Sequence, residues 1–183
     1  MTQVLNYATE PQMGADFNQI YAVSASVTPE TPAPPFQLGM VLLGQNGAKY
    51  LFVQASTSIS ANDFVAITSL NQANSLTNTN VVASTGVRIG VAPGAPVVTS
   101  TGIAAATYFW AEVEGVIVSG NAVAATTTSN VQLYTSAVAG VVSSVTGSSG
   151  VALGGVIMTA SFTANPQTFQ LTFPRQSGGN ANP

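Results

Sequence analysis

The chain reads as short apolar runs broken at close intervals by Gly, Asn, Ser and Pro. Gly39-Met40-Val41-Leu42-Leu43 and Lys49-Tyr50-Leu51-Phe52-Val53 are separated by Gly44-Gln45-Asn46-Gly47. Both residues of an Asn-Gly pair tolerate positive φ, so this segment predicts a β-hairpin. Further runs follow at Asp63-Phe64-Val65-Ala66-Ile67, Val81-Val82-Ala83 and Gly86-Val87-Arg88-Ile89-Gly90-Val91-Ala92. The longest extends from Tyr108 to Val118. After it come Val131 to Tyr134, Gly140 to Val142, Val156 to Ala160, and Thr168 to Phe173. In the last run Phe169, Leu171 and Phe173 fall on one face and Gln170 and Thr172 on the other, the period of a strand. Glu, Lys and Arg, which favour helix, are scarce, while β-branched residues are frequent. Ser60-Ala61-Asn62-Asp63 predicts one short turn. Many short strands at roughly regular spacing predict an all-β barrel or sandwich over residues 37–174.

Residues 1–36 read differently. Thr28-Pro29-Glu30-Thr31-Pro32-Ala33-Pro34-Pro35 carries four prolines in eight residues and predicts an extended, polyproline-like stretch. Upstream, Phe17, Ile20 and Tyr21 sit at i, i+3 and i+4, the spacing of one helical turn, although an extended strand also fits. Large apolar side chains in an N-terminal arm must be buried against the parent domain or a neighbouring subunit. Residues 175–183 are polar and predict a flexible tail. One internal echo stands out. Gly86 to Ala92 resembles Gly150 to Ile157, with an extra Gly in the second copy. It reads as recurrent barrel geometry rather than a true repeat.

Charge changes the picture. Only 5% of residues are charged, against about 25% in an ordinary soluble domain. The basic residues are Lys49, Arg88 and Arg175. Three scattered cations cannot neutralise a run of phosphates or hold an anionic membrane surface, which argues against nucleic acid and membrane as partners. Met1 to Glu10 lacks the basic and apolar regions of a signal peptide, and no run of 18 apolar residues occurs. The expectation is synthesis in the cytoplasm without an export signal.

Candidate chemistry is sparse. The chain has no His and no Cys, which removes the commonest general base, metal ligands and thiol nucleophile. The sequence therefore predicts no enzyme, no metal site and no cofactor. Lys49 sits beside the predicted hairpin turn, where an exposed lysine is the ordinary case. Glu112 and Glu114 share one face of a strand at roughly 7 Å. Carboxyl pairs at about 5 to 9.5 Å serve glycoside hydrolysis, but those flank the scissile bond, usually from different strands. The plainer expectation is that the two glutamates keep an outer face soluble or pair with Arg88 or Arg175. Tyr108-Phe109-Trp110 could stack on a sugar or base, and more often such a cluster fills a core or interface.

Four phrases carry a family resemblance: Ile59-Ser-Ala-Asn-Asp-Phe-Val-Ala-Ile67, Gly86-Val-Arg-Ile-Gly-Val-Ala92, Ala111-Glu-Val-Glu-Gly-Val-Ile-Val118 and Val151-Ala-Leu-Gly-Gly-Val-Ile-Met158. Over residues 37–174 the chain resembles the capsid cement, or head decoration, proteins of tailed bacteriophages. The resemblance implies a small β-barrel or β-tulip-like domain with an extended N-terminal arm. It also implies a virion structural protein on the capsid exterior that binds the major capsid protein, with a homotrimer favoured. The arm would thread along the capsid or clasp a neighbour. Phe17, Ile20, Tyr21, Pro34, Pro35 and Phe36 are then the candidate partner contacts.

Overall fold

The computed structural model describes residues 15–21, 36–44, 47–82, 87–94, 102–123, 130–145, 149–159, 161 and 164–176. Pro34 and Pro35 lie outside them, as does the whole proline-rich stretch 28–35. The described chain is all-β. Its strands are β1 Val41–Leu43, β2 Lys49–Ala55, β3 Phe64–Ile67, β4 Gln72–Ser75, β5 Arg88–Val91, β6 Tyr108–Ala122, β7 Leu133–Thr135, β8 Val141–Ser143, β9 Ala152–Met158 and β10 Gln167–Gln176.

The predicted hairpin forms, with Val41 opposite Leu51 and Leu43 opposite Lys49. Gly47 takes φ +75°, the left-handed conformation that glycine adopts without strain. The strand expected at Val81-Val82-Ala83 does not form there. Val81 and Val82 instead end a five-residue helix, Asn78–Val82. Its start is fixed by a reciprocal cap: Asn80 N donates to Thr77 Oγ1 at 3.2 Å, and Thr77 N donates to Asn80 Oδ1 at 2.8 Å. Such a box satisfies backbone donors at a helix start, and local β propensity does not override it. Strand β4, Gln72-Ala-Asn-Ser75, has little β propensity of its own. Parallel pairing with β2 and antiparallel pairing with β3 hold it in place. β10 runs through Gln176, so Arg175 and Gln176 belong to the sheet rather than to the tail.

Strands β2, β4, β3, β5 and β6 pair in a ring and close a five-stranded barrel. Its interior holds Leu51, Val53 and Ala55 of β2, Val65 and Ile67 of β3, Ala73 of β4, and Phe109, Ala111 and Val113 of β6. Gly90 of β5 has no side chain because a Cβ there would press on the Glu112 carbonyl, Ile67 and Val113 at 3.2 Å.

The strands outside this barrel repeat its plan. β6, β8, β7, β9 and β10 also pair in a ring. In each ring the first strand runs parallel to the third, the second pairs with the third and fourth, and the fifth pairs with the fourth and first. Asn62 and Asn130, ahead of β3 and β7, are both left-handed at φ 60° and 58°. So are Asn71 and Gly140, ahead of β4 and β8, at 58° and 73°. The Gly86 and Gly150 echo falls on β5 and β9, the matching strands, but its letters run one residue out of step. Ala66 pairs with Ile89, and Tyr134, at the matching place in β7, pairs with Ala152. The duplication thus lies in the topology and not in a register-true sequence repeat, and a one-residue shift reverses every side chain.

β6 serves both rings. Its pairing with β10 shifts between Phe169, opposite Val118, and Leu171, opposite Gly115, so one extra residue sits in β6. This bulge keeps one face of β6 turned inward along its length: Phe109, Ala111 and Val113 in the first core, Val118 and Ala122 in the second. Phe64 projects from β3 into the second core, edge-on to Phe169 with ring centroids 5.0 Å apart.

Candidate interaction surface

The outer face of β2 and β6 is a third apolar layer. Tyr50 and Phe52 alternate with Leu51 and Val53, and Tyr108 and Trp110 alternate with Phe109 and Ala111. Both faces of these strands are apolar, so something must cover the side away from the barrel. Ala15, Phe17, Tyr21, Phe36 and Leu42 do so. Phe17 stacks on Tyr50 at 4.1 Å and meets the edge of Trp110 at 5.4 Å. Phe36 lies 5.0 Å from Trp110 and 5.4 Å from Phe52. Tyr21 exchanges two backbone hydrogen bonds with Tyr108, each 2.8 Å, and so adds a one-residue rung beside the start of β6. Its ring is 5.9 Å from that of Phe36.

Phe17, Tyr21 and Phe36, expected as partner contacts, are therefore brought together on the chain's own domain. Phe17 is 1% exposed and Phe36 8%, so both are buried within this chain. For these two, the β2–β6 face inside the same chain is the nearest apolar surface available. Ile20 turns away from the aromatic layer and packs, partly buried, against the first barrel core. Tyr21 and Phe36 rest in one cluster.

Trp110 is 1% exposed, which leaves no face for a sugar or a base to stack on. Its Nε1–H is buried without a well-formed hydrogen bond, and the Tyr21 phenol is the polar group beside it. Burial raises the Tyr21 pKa above that of a free phenol, and the Asp16 carboxylate adds to this.

The charged residues are used locally. Glu114 accepts a hydrogen bond and ion pair from Lys49 Nζ at 2.8 Å. The pairing with Arg88 or Arg175 foreseen for the glutamates is thus replaced by Lys49, because β2 lies directly beside β6 and sets Lys49 opposite Glu114. Glu112 shares the outer face with Glu114, as its spacing requires. Burial raises its pKa to about 8, so it is largely neutral at pH 7 and does little to solubilise that face. Arg88 and Arg175 are backbone partners between β5 and β10.

Asp63, expected at a turn, also ties distant segments together. Its Oδ2 accepts from Ser60 N and Ser75 Oγ, both at 2.9 Å, while Asn121 Nδ2 of β6 approaches Oδ1 at 3.4 Å. A Cβ on Gly140 would overlap this carboxyl. The Gly140 carbonyl accepts from Phe64 N at 2.8 Å, and Gly140 N donates to Leu76 O at 2.9 Å. Asp63 thus locks the first barrel to β6 and β8 of the second ring. Burial raises its pKa, against the opposing pull of these donors. The sequence signal was the Asn62-Asp63 turn ahead of an apolar run, but the residues it would join are 12 and 58 positions away.

Among the described residues no group of three His, Cys, Asp or Glu side chains could hold a metal ion. No helix among them is long and apolar enough to cross a membrane. The chain matches no family model, no curated protein and no solved structure.

Proposed function

We propose that this chain is a virion structural protein that binds the outer surface of an assembled phage capsid and reinforces it, acting as a trimer on the major capsid protein. The observation that carries the reading is how the polar and charged groups are used. Lys49, Glu114 and Asp63 are engaged in holding strands together, and burial raises the Glu112 pKa to about 8. Two interlocked rings of strands make a stiff, charge-poor body. Its remaining contacts are hydrogen bonds and apolar surface, which salt screens far less than ion pairs. The four phrases that resemble the cement proteins fall on β3, β5, β6 and β9, which belong to one or both rings. Each capsid offers the same site many times, so weak single contacts accumulate into firm attachment.

The test is co-sedimentation with purified expanded capsids assembled without this chain, at low and high salt. Attachment that persists in high salt is the expected result. No attachment at any salt, or attachment that collapses as salt is added, refutes the reading. A truncation used to examine the N-terminal residues must stop before Ala15, because Phe17, Tyr21 and Phe36 belong to the fold.

A further inference from the structure

Three basic residues serve the whole chain, and two of them stand directly opposite each other. Arg88 opens β5, Arg175 lies near the end of β10, and together they are the register pair that joins these two strands. Directly opposed residues of an antiparallel pair have Cβ atoms about 4.5–5.5 Å apart and share a face, and like charges so placed repel. The row continues on both sides. Arg88 is also opposite Ile67 of β3, and Arg175 is opposite Gly154 of β9. Ile67, Arg88, Arg175 and Gly154 thus cross four strands, with two cations at the centre and no anion in the row.

Ile67 belongs to the first barrel core, and a Cβ on Gly90, two residues beyond Arg88, would meet Ile67 and Val113. Arg88 shares that inward face and yet is exposed, so it stands at the rim of the first barrel. It makes no ion pair among the described residues. The described carboxylates are engaged elsewhere. Glu114 holds Lys49, Asp63 accepts from Ser60 and Ser75, and Asp16 accepts from Asn18 N. Glu112 is opposite Val91, three residues along β5 from Arg88 and therefore on the other face. Glu10 and Glu30 lie outside the described residues.

Among so few charges, two alike share a single rung. A local rule broken in this way is expected where a site is built for a ligand. We propose that Arg88 and Arg175 form a site for a single oxyanion, held between two guanidinium groups at the seam of β5 and β10. A guanidinium presents a planar fork of N–H donors that matches the paired oxygens of a carboxylate or phosphate. Two forks suffice for one such group, though not for a nucleic-acid backbone. The anion cancels the repulsion and bridges both strands, so binding tightens the contact between the two rings. The site stands apart from the capsid reading and does not depend on it.

The test follows the thermal midpoint of the full chain at pH 7 in chloride, with phosphate or acetate added at constant ionic strength. A saturating probe is expected to raise the wild-type midpoint by about 2–4 °C. Arg88→Gln and Arg175→Gln are each expected to melt at or above wild type in chloride, because the repulsion is gone, and to lose the response to the probe. Lys49→Met removes the third cation and is expected to keep that response. A response to acetate assigns a carboxylate ligand, and a response to phosphate alone assigns a phosphoryl group. Wild type that ignores both probes overturns the site. So does a shift of equal size in the two Arg→Gln variants, which marks a general salt effect, or a response lost equally in Lys49→Met.

Discussion

Phe17 and Tyr50 stack with centroids 4.1 Å apart and planes within 10° of parallel, and this contact joins the N-terminal residues to the barrel wall. Tyr50 belongs to β2 and Phe17 precedes it by 33 positions, so the stack closes a long loop at its base. The same ring of Phe17 meets Trp110 on β6. One side chain thus covers the seam between the two strands.

Phe17→Ala is expected to lower stability by about 3–5 kcal/mol, the usual cost of removing a buried aromatic side chain. The shift in the denaturant midpoint measures it. If residues 15–21 were a detachable arm, the midpoint would stay where it is.

Glu112 gives the fold an unusual pH dependence. Its carboxyl titrates near 4.5 when unfolded and near 8 when folded, so the folded chain holds the proton more tightly. Its contribution is full below about pH 4.5 and is lost as pH rises towards 8. Asp63, also raised by burial, acts in the same direction. Stability is therefore expected to fall from pH 5 to pH 8, and Glu112→Gln to remove most of that slope. Melting curves of both proteins across this range decide it, and equal slopes would contradict the assignment.

Gly140→Ala brings a methyl group onto the Asp63 carboxyl and forces a left-handed φ of 73° on an alanine. The expected loss is about 2–4 kcal/mol. Asp63→Ala strands the Ser60 N–H and the Ser75 hydroxyl and is expected to cost about 2–3 kcal/mol. Because the two changes strike one junction, the double variant should lose less than the sum. Strict additivity in equilibrium unfolding would show that the junction is not shared.

Lys49→Met is expected to have a small effect by comparison. Its pair with Glu114 is partly open to solvent, with side chains 33% and 24% exposed. Such pairs contribute about 0–1 kcal/mol. A loss above 2 kcal/mol in chemical denaturation would mean that the pair holds β2 to β6 more firmly than its exposure suggests.

Much of the architecture was legible in the sequence because strand signals are local. The Asn46-Gly47 turn, the run from Tyr108 and the alternation at Phe169, Leu171 and Phe173 each report on a few adjacent residues. The two-sided burial of β2 could also be read from the unbroken run Tyr50-Leu51-Phe52-Val53. What covered its outer side could not. Phe17 and Phe36 carry the same apolar signal whether they meet their own domain or another chain, and only the assembled β2–β6 face selects between those partners. β4 was missed because its pairing comes from β2 and β3 and not from its own residues. The helix at Asn78 turned on one reciprocal cap.

The sequence by itself determined the all-β class, the scarcity of charge and the lack of His and Cys, since composition and period-two patterning do not depend on distant contacts. Tertiary structure alone decided that Phe17 and Phe36 cover the outer β2–β6 face, that Lys49 is the partner of Glu114, and that Asp63 ties two rings together. It also decided that the strands run twice round the same plan. Each of those facts is a contact between residues far apart in the chain, and no local pattern encodes which distant surface a side chain will meet.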